Sequence, residues 1–128
     1  MDYKSLFNIV AFAFLVWFIY SRFAPVKGLK HLSSDQFQEE LKTNRQAVLI
    51  DVREPGEVKQ GYIPGAINIP VTQMKKRAGE IKSKDQVYLY CRSGMRSKQA
   101  AKILRRQGFN EISHLQGGMM SWKGKLTQ

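Results

Sequence analysis

Hydrophobic positions along the chain fall into one long run followed by several short ones. Leu6 to Tyr20 holds a single polar side chain, Asn8, and as a helix it is apolar around its whole circumference. Counted from Ser5 to Ser21, the stretch has 17 residues. At about 1.5 Å per residue it spans about 26 Å, slightly under the roughly 30 Å of a bilayer core. Lys4 and Arg22 can snorkel from its ends, and Tyr3, Trp17, Tyr20 and Phe23 suit the two interfaces. The exit, Ile19 to Pro25, lacks the small-x-small pair of a signal-peptide cleavage site. A domain this small could not bury an all-round apolar helix. The pattern therefore predicts one transmembrane helix over about 5–22, an anchor and linker over 1–28, and a folded domain over 29–128.

The short runs alternate with amphipathic stretches. Ser33 caps a helix, with Gln36 at the capping-box position and Phe37 and Leu41 one turn apart. Ala47 to Ile50 is continuous and apolar, the mark of a strand buried on both faces. Ile67 to Pro70 and Val87 to Tyr90 read as further strands, with Thr72 to Ile81 as a basic helix between them. Arg96 to Gln107 presents Ala100, Ile103 and Leu104 on one face and stops at Gly108. Glu111 to Leu115 is a last strand, and a short helix ends near Trp122, which reads as a packing residue. Alternating strands and helices predict an α/β fold, a parallel sheet with helices on both faces. Ligands of such sheets bind beyond the carboxyl ends of the strands.

Charge adds a partner question. The formal net charge is +11, from 21 Lys and Arg against 10 Asp and Glu. The basic residues are scattered, with no recognition-helix or base-stacking motif, so no specific nucleic-acid partner is expected. Anionic headgroups beside the anchor explain the charge more simply. Arg22, Lys27 and Lys30 outweigh Lys4 across the span, which orients the domain to the cytoplasmic side of the cell membrane.

Cys91 is the one cysteine, so no intramolecular disulfide can form and a reducing compartment suits the chain. His31 and His114 are far apart in sequence, and no cluster has metal-ligand spacing; neither a metal nor a cofactor is expected. A lone cysteine after a strand is often a small core side chain. Its context here argues for more. Strand, Cys91, polar loop with Gly94, then helix aims backbone N–H groups and a helix N-terminus at one point. Arg92 and Arg96 add positive charge, and such a setting favours the thiolate, the attacking form. Asp51 and Arg53, taken alone, read as a solvated ion-paired turn worth about 0–1 kcal/mol.

Four blocks, in order, carry a resemblance. They are Asp51-Val52-Arg53-Glu54, Gly61-Tyr62-Ile63-Pro64-Gly65-Ala66-Ile67-Asn68-Ile69-Pro70, Tyr90-Cys91-Arg92-Ser93-Gly94-Met95-Arg96-Ser97 and Gly117-Gly118-Met119-Met120-Ser121-Trp122. Together they resemble a rhodanese-like domain over about residues 29–126. The resemblance implies a five-stranded parallel sheet and a sulfurtransferase. In it Cys91 accepts sulfane sulfur from thiosulfate or a persulfidated protein, becomes a persulfide, and passes the sulfur to a thiophilic acceptor. It also implies that Arg92, Ser93, Gly94, Met95, Arg96 and Ser97 bind the substrate, largely through backbone N–H groups. Asp51 and Arg53 would support the loop. The six-residue loop from Cys91 to Arg96 suits sulfur, whereas related phosphatases use a loop one residue longer. Tyr62 departs from the histidine common at its position. The other reading is a membrane-tethered, non-catalytic binding or regulatory module on the same fold.

Overall fold

The computed structural model describes residues 2–82 and 86–128. Helix α1 (Tyr3–Phe23) starts at Asp2, whose carboxylate accepts the Ser5 N–H at 2.9 Å. Its 21 residues extend about 31 Å. They outrun the apolar core of the segment because Tyr3, Lys4 and Arg22 continue the helix. No part of the apolar window is buried, and the helix is long and apolar enough to cross a membrane.

The rest of the chain runs β1 (Leu29–Leu32), α2 (Ser34–Thr43), β2 (Val48–Asp51), α3 (Pro55–Val58), β3 (Ile67–Asn68), α4 (Met74–Arg77), β4 (Val87–Tyr90), α5 (Met95–Arg106) and β5 (Ile112–Leu115). The strands form one sheet in the order β1-β5-β4-β2-β3, every pairing parallel. The expected five-stranded α/β architecture is therefore present, with β4 at its centre.

Local chemistry explains the elements. The Ser33 N–H donates to Gln36 Oε1 at 2.9 Å while the Gln36 N–H donates to Ser33 Oγ at 3.3 Å, closing the capping box of α2. Pro70 cannot donate to a ladder, so β3 ends at Asn68 rather than running on. The helix expected over 72–81 is broken into a 3₁₀ turn (Val71–Gln73), α4, and a second 3₁₀ turn (Ala78–Glu80). Met74, Ala78 and Ile81 are buried there, but Gly79 lowers the helical propensity of the segment. The last short helix is likewise a 3₁₀ turn, Gly118–Ser121. Strand β1 has no alternating signature: its ends are buried and Lys30 and His31 between them are exposed.

Strand alternation divides the core. Ile50, Val87, Leu89 and Ile112 face Ala100, Ala101 and Leu104 of α5 and Met74 of α4. Leu49, Tyr88, Tyr90 and Leu115 face Phe37 of α2 and Trp122. Phe37 and Trp122 meet edge to face with ring centroids 6.1 Å apart, so Trp122 packs as its sequence reading expects. Continuing the alternation of Val87 and Leu89 puts the Cys91 side chain on the α5 side of the sheet.

Candidate active site

Cys91 follows the last residue of the central strand, and its side chain is fully buried. The chain turns at Gly94, whose φ of +106° is open to glycine at little cost, and enters α5 at Met95. This turn brings the Gly94 N–H to 2.9 Å from Cys91 Sγ. Met95, Arg96 and Ser97 open α5, and the N–H groups of a helix's first turn have no intrahelical acceptor. The positive end of the helix dipole therefore lies over the sulfur. Ser97 Oγ stands 3.7 Å from Sγ. The loop is clipped from behind, because the Met119 N–H donates to the Cys91 carbonyl at 2.9 Å and the Met120 N–H to the Arg92 carbonyl at 3.1 Å.

The expected loop residues thus divide. Gly94 and Ser97 contact the sulfur directly. Arg92, Ser93 and Met95 are exposed around it. Arg96 points to a partner on another element: its guanidinium grips Glu57 of α3, with Nη1 to Oε1 at 2.5 Å and Nη2 to Oε2 at 2.9 Å. That hydrogen bond, against the opposing effect of burial and helped by the Glu54 N–H and the Arg96 and Arg53 charges, holds the Glu57 carboxyl down to about 2.

Asp51 and Arg53 overturn the expectation of a solvated ion pair. They are 0% and 6% exposed. Arg53 Nε donates to Asp51 Oδ1 at 2.9 Å and Nη2 to Oδ2 at 2.6 Å, while Nη2 also reaches the Gly61 carbonyl at 2.8 Å. Asn68 Nδ2 binds the carbonyls of Asp51 and Arg53 at 2.9 and 2.8 Å. Together they tie the end of β2 to the segment before and within β3. Arg53 also lies 5.6 Å from the Tyr90 ring centroid. Burial, reinforced by Asp51, pushes the Tyr90 phenol well up, so its oxygen stays neutral and accepts the Ile63 N–H at 3.0 Å. Tyr62 turns instead to the C-terminal tail, exchanging both backbone hydrogen bonds with Thr127 at 2.9 Å.

Sequence reasoning missed the two histidines. His114 Nδ1 is 2.7 Å from Ser97 Oγ, and its Nε2 is 2.7 Å from His31 Nδ1. His31 and His114 are register partners on the adjacent strands β1 and β5. The signal was present in the parallel patterns Leu29-Lys30-His31-Leu32 and Ile112-Ser113-His114-Leu115. His114 is 1% exposed, and burial first, then the charges of His31 and Lys98, brings its imidazole down to about 4. A cleft lined by His31, His114, Gly94, Ser93, Lys98 and Gly117 opens beside the pair.

Comparison with known proteins agrees with this fold. The model of the rhodanese-like domain matches residues 33–125. The chain is 42% identical to the uncharacterized protein YqhL of Bacillus subtilis, over 92% of this chain and 91% of that one. It is 35% identical to a sulfurtransferase of Allochromatium vinosum, over 73% of this chain and 88% of that one. Among solved structures, a rhodanese-like domain protein from Staphylococcus aureus superposes with a TM-score of 0.68 at 27% identity, covering 77% of this chain and 96% of that one.

Proposed function

The chain belongs to the rhodanese-like domain family, which includes sulfurtransferases, and on that premise we propose that it is a membrane-anchored sulfurtransferase carrying sulfane sulfur on Cys91. The observation that carries the proposal is the position of Cys91 Sγ, 2.9 Å from the Gly94 N–H and beneath the first turn of α5. A thiolate there attacks the outer sulfur of thiosulfate. The Cys91 S–S bond forms, the donor's S–S bond breaks, and sulfite leaves with the bonding pair. The product, Cys91–S–S⁻, carries its charge on the terminal sulfur, where backbone N–H groups of the Arg92–Ser97 loop serve as donors. A thiophilic acceptor then attacks that terminal sulfur and returns the Cys91 thiolate. A persulfidated protein is the alternative donor, handing over its terminal sulfur by the same displacement.

Arg92, exposed at the rim, supplies attraction for an anionic donor, while Arg96 positions the start of α5 through Glu57. Asp51 and Arg53 support the neighbouring loop. Helix α1 serves as a single-pass anchor in lipid, and Arg22, Lys27 and Lys30 on its C-terminal flank favour the cytoplasmic side for the domain. The test is mass spectrometry of the full chain after incubation with thiosulfate. A 32 Da gain on Cys91, discharged by cyanide and absent in Cys91→Ala, is the expected result. An unmodified Cys91 would overturn it.

The complete burial of Cys91 and the engagement of Arg96 by Glu57 favour a second reading, a tethered module that binds a partner without turnover. Under that reading Cys91→Ala leaves the cellular phenotype and every partner intact.

A further inference from the structure

Cys91 is buried, so its proton needs a path out. Polar atoms continue from Sγ without a break: 3.7 Å to Ser97 Oγ, 2.7 Å from there to His114 Nδ1, and 2.7 Å from His114 Nε2 to His31 Nδ1. His31 is exposed on edge strand β1, where it meets solvent. We propose that Ser97, His114 and His31 are a reversible hydrogen-bond chain that carries the Cys91 proton to solvent and then donates back toward the thiolate, with the two histidines as its positioning residues. It rests on the reading of Cys91 as the sulfur carrier.

Both directions of the chain balance. With Cys91 protonated, S–H donates to Ser97 Oγ, Ser97 O–H to His114 Nδ1, and His114 Nε2–H to His31 Nδ1. On ionisation each proton moves one step, and the His31 Nε2 proton leaves to solvent. His114 then carries its proton on Nδ1 and donates to Ser97, whose hydroxyl turns to the sulfur anion. No charge remains on any relay member. In the reverse orientation His114 Nδ1 no longer accepts from the Ser97 hydroxyl, and the negative charge draws that hydroxyl to the sulfur ahead of the neutral Gly94 carbonyl at 3.0 Å. A thiolate and, after sulfur acceptance, a persulfide anion both gain that donor.

The surroundings fit a neutral relay. The groups facing His114 are His31 from β1, Ser97 and Lys98 from α5, Leu89 of β4 and the Cys91 sulfur beyond it. Burial and the Lys98 charge both disfavour an imidazolium there, and the His114 imidazole sits near 4. His114 therefore passes a proton without keeping one at neutral pH.

The experiment reads the tautomer directly. The full chain, ¹⁵N-labelled in detergent micelles, is titrated through Cys91 ionisation, followed by thiolate absorbance, while ¹H–¹⁵N spectra assign the His114 ring protons. Inversion from Nε2–H to Nδ1–H as the thiolate forms is the expected result. A His114 tautomer that stays fixed, or an imidazolium at neutral pH, overturns the relay. As a second arm, His114→Phe slows Cys91 alkylation at pH 7 roughly tenfold, equivalent to about one pH unit in its midpoint, and His114→Gln recovers most of it. An unmoved alkylation profile in a folded His114→Phe also overturns it. Neither readout requires sulfur transfer, so a missing persulfide would sink the functional reading while leaving the relay to be judged by the tautomer.

Discussion

Gly118 lies against the backbone of Cys91, so closely that a Cβ on it would come within 2.4 Å of the Cys91 carbonyl oxygen and 2.5 Å of the Arg92 carbonyl. Its φ of +61° independently favours glycine. Gly118→Ala should therefore push the loop away from its clip, costing about 1–3 kcal/mol from backbone strain before any clash is counted. Thermal unfolding measured with persulfide yield on Cys91 checks this. Wild-type values for both would refute it.

The buried Asp51–Arg53 pair predicts an asymmetry. Asp51→Ala leaves a guanidinium buried with the Gly61 carbonyl as its remaining partner, and such losses cost about 3–5 kcal/mol. Replacing both residues, Asp51→Ala with Arg53→Met, should recover much of it, because the unpaired charge goes too. Denaturant unfolding of the three proteins decides. A double variant as unstable as the single one would show that the pair contributes more than it costs to bury.

Glu57→Gln should free the Arg96 guanidinium beside the Cys91 loop. The pair is about one-third exposed on each side, so stability should fall by less than about 1 kcal/mol. Thiosulfate acceptance should instead rise several-fold at low ionic strength and return toward wild type by about 0.5 M salt. A rate independent of salt in the variant would refute the charge argument. The contribution of Glu57 is fully present above 4.5 and fades as pH falls toward about 2, so the wild type should keep Arg96 engaged through mild acid.

His114 acts on the same acid side, at higher pH than Glu57. Its folded-state value of about 4 lies below the ordinary 6.5, so between these pH values the unfolded chain binds a proton that the folded chain does not. Stability is intact above pH 6.5 and declines as pH falls toward 4, by up to about 3 kcal/mol. Chemical denaturation at pH 7 and pH 4.5, in wild type and His114→Phe, measures the slope. A wild-type slope as flat as the variant's would count against the burial of a neutral imidazole.

The central strands, the capped helix α2 and the strand–Cys91–helix turn were legible because each is written in consecutive residues. Val87 to Tyr90 is apolar on both faces, and Ser33 with Gln36 announces its own cap. Strand β1 was not legible from its residues, since four positions with an exposed middle carry no period, and the division of 72–81 was hidden because Met74, Ala78 and Ile81 keep a helical spacing across the breaks. At the site, sequence located Cys91, Gly94 and Ser97 together but could not show that Asp51 and Arg53 are buried. Their burial depends on Gly61 and Asn68, which arrive from another segment. Glu57 under Arg96, and His31 beside His114, are likewise pairings across the fold that no local spacing encodes.

The strand order has a consequence for how the molecule is made. Strand β1, the first to leave the ribosome after α1, must wait for β5, and His31 for a partner 83 residues further on. Chain closure over that distance is slow to be rewarded, so β1 is expected to dock last. Until then the β5 edge is open and the Cys91 proton path has no outlet, while the remaining strands can already pair. The Cys91 loop is thus expected to assemble before His31 joins it to solvent.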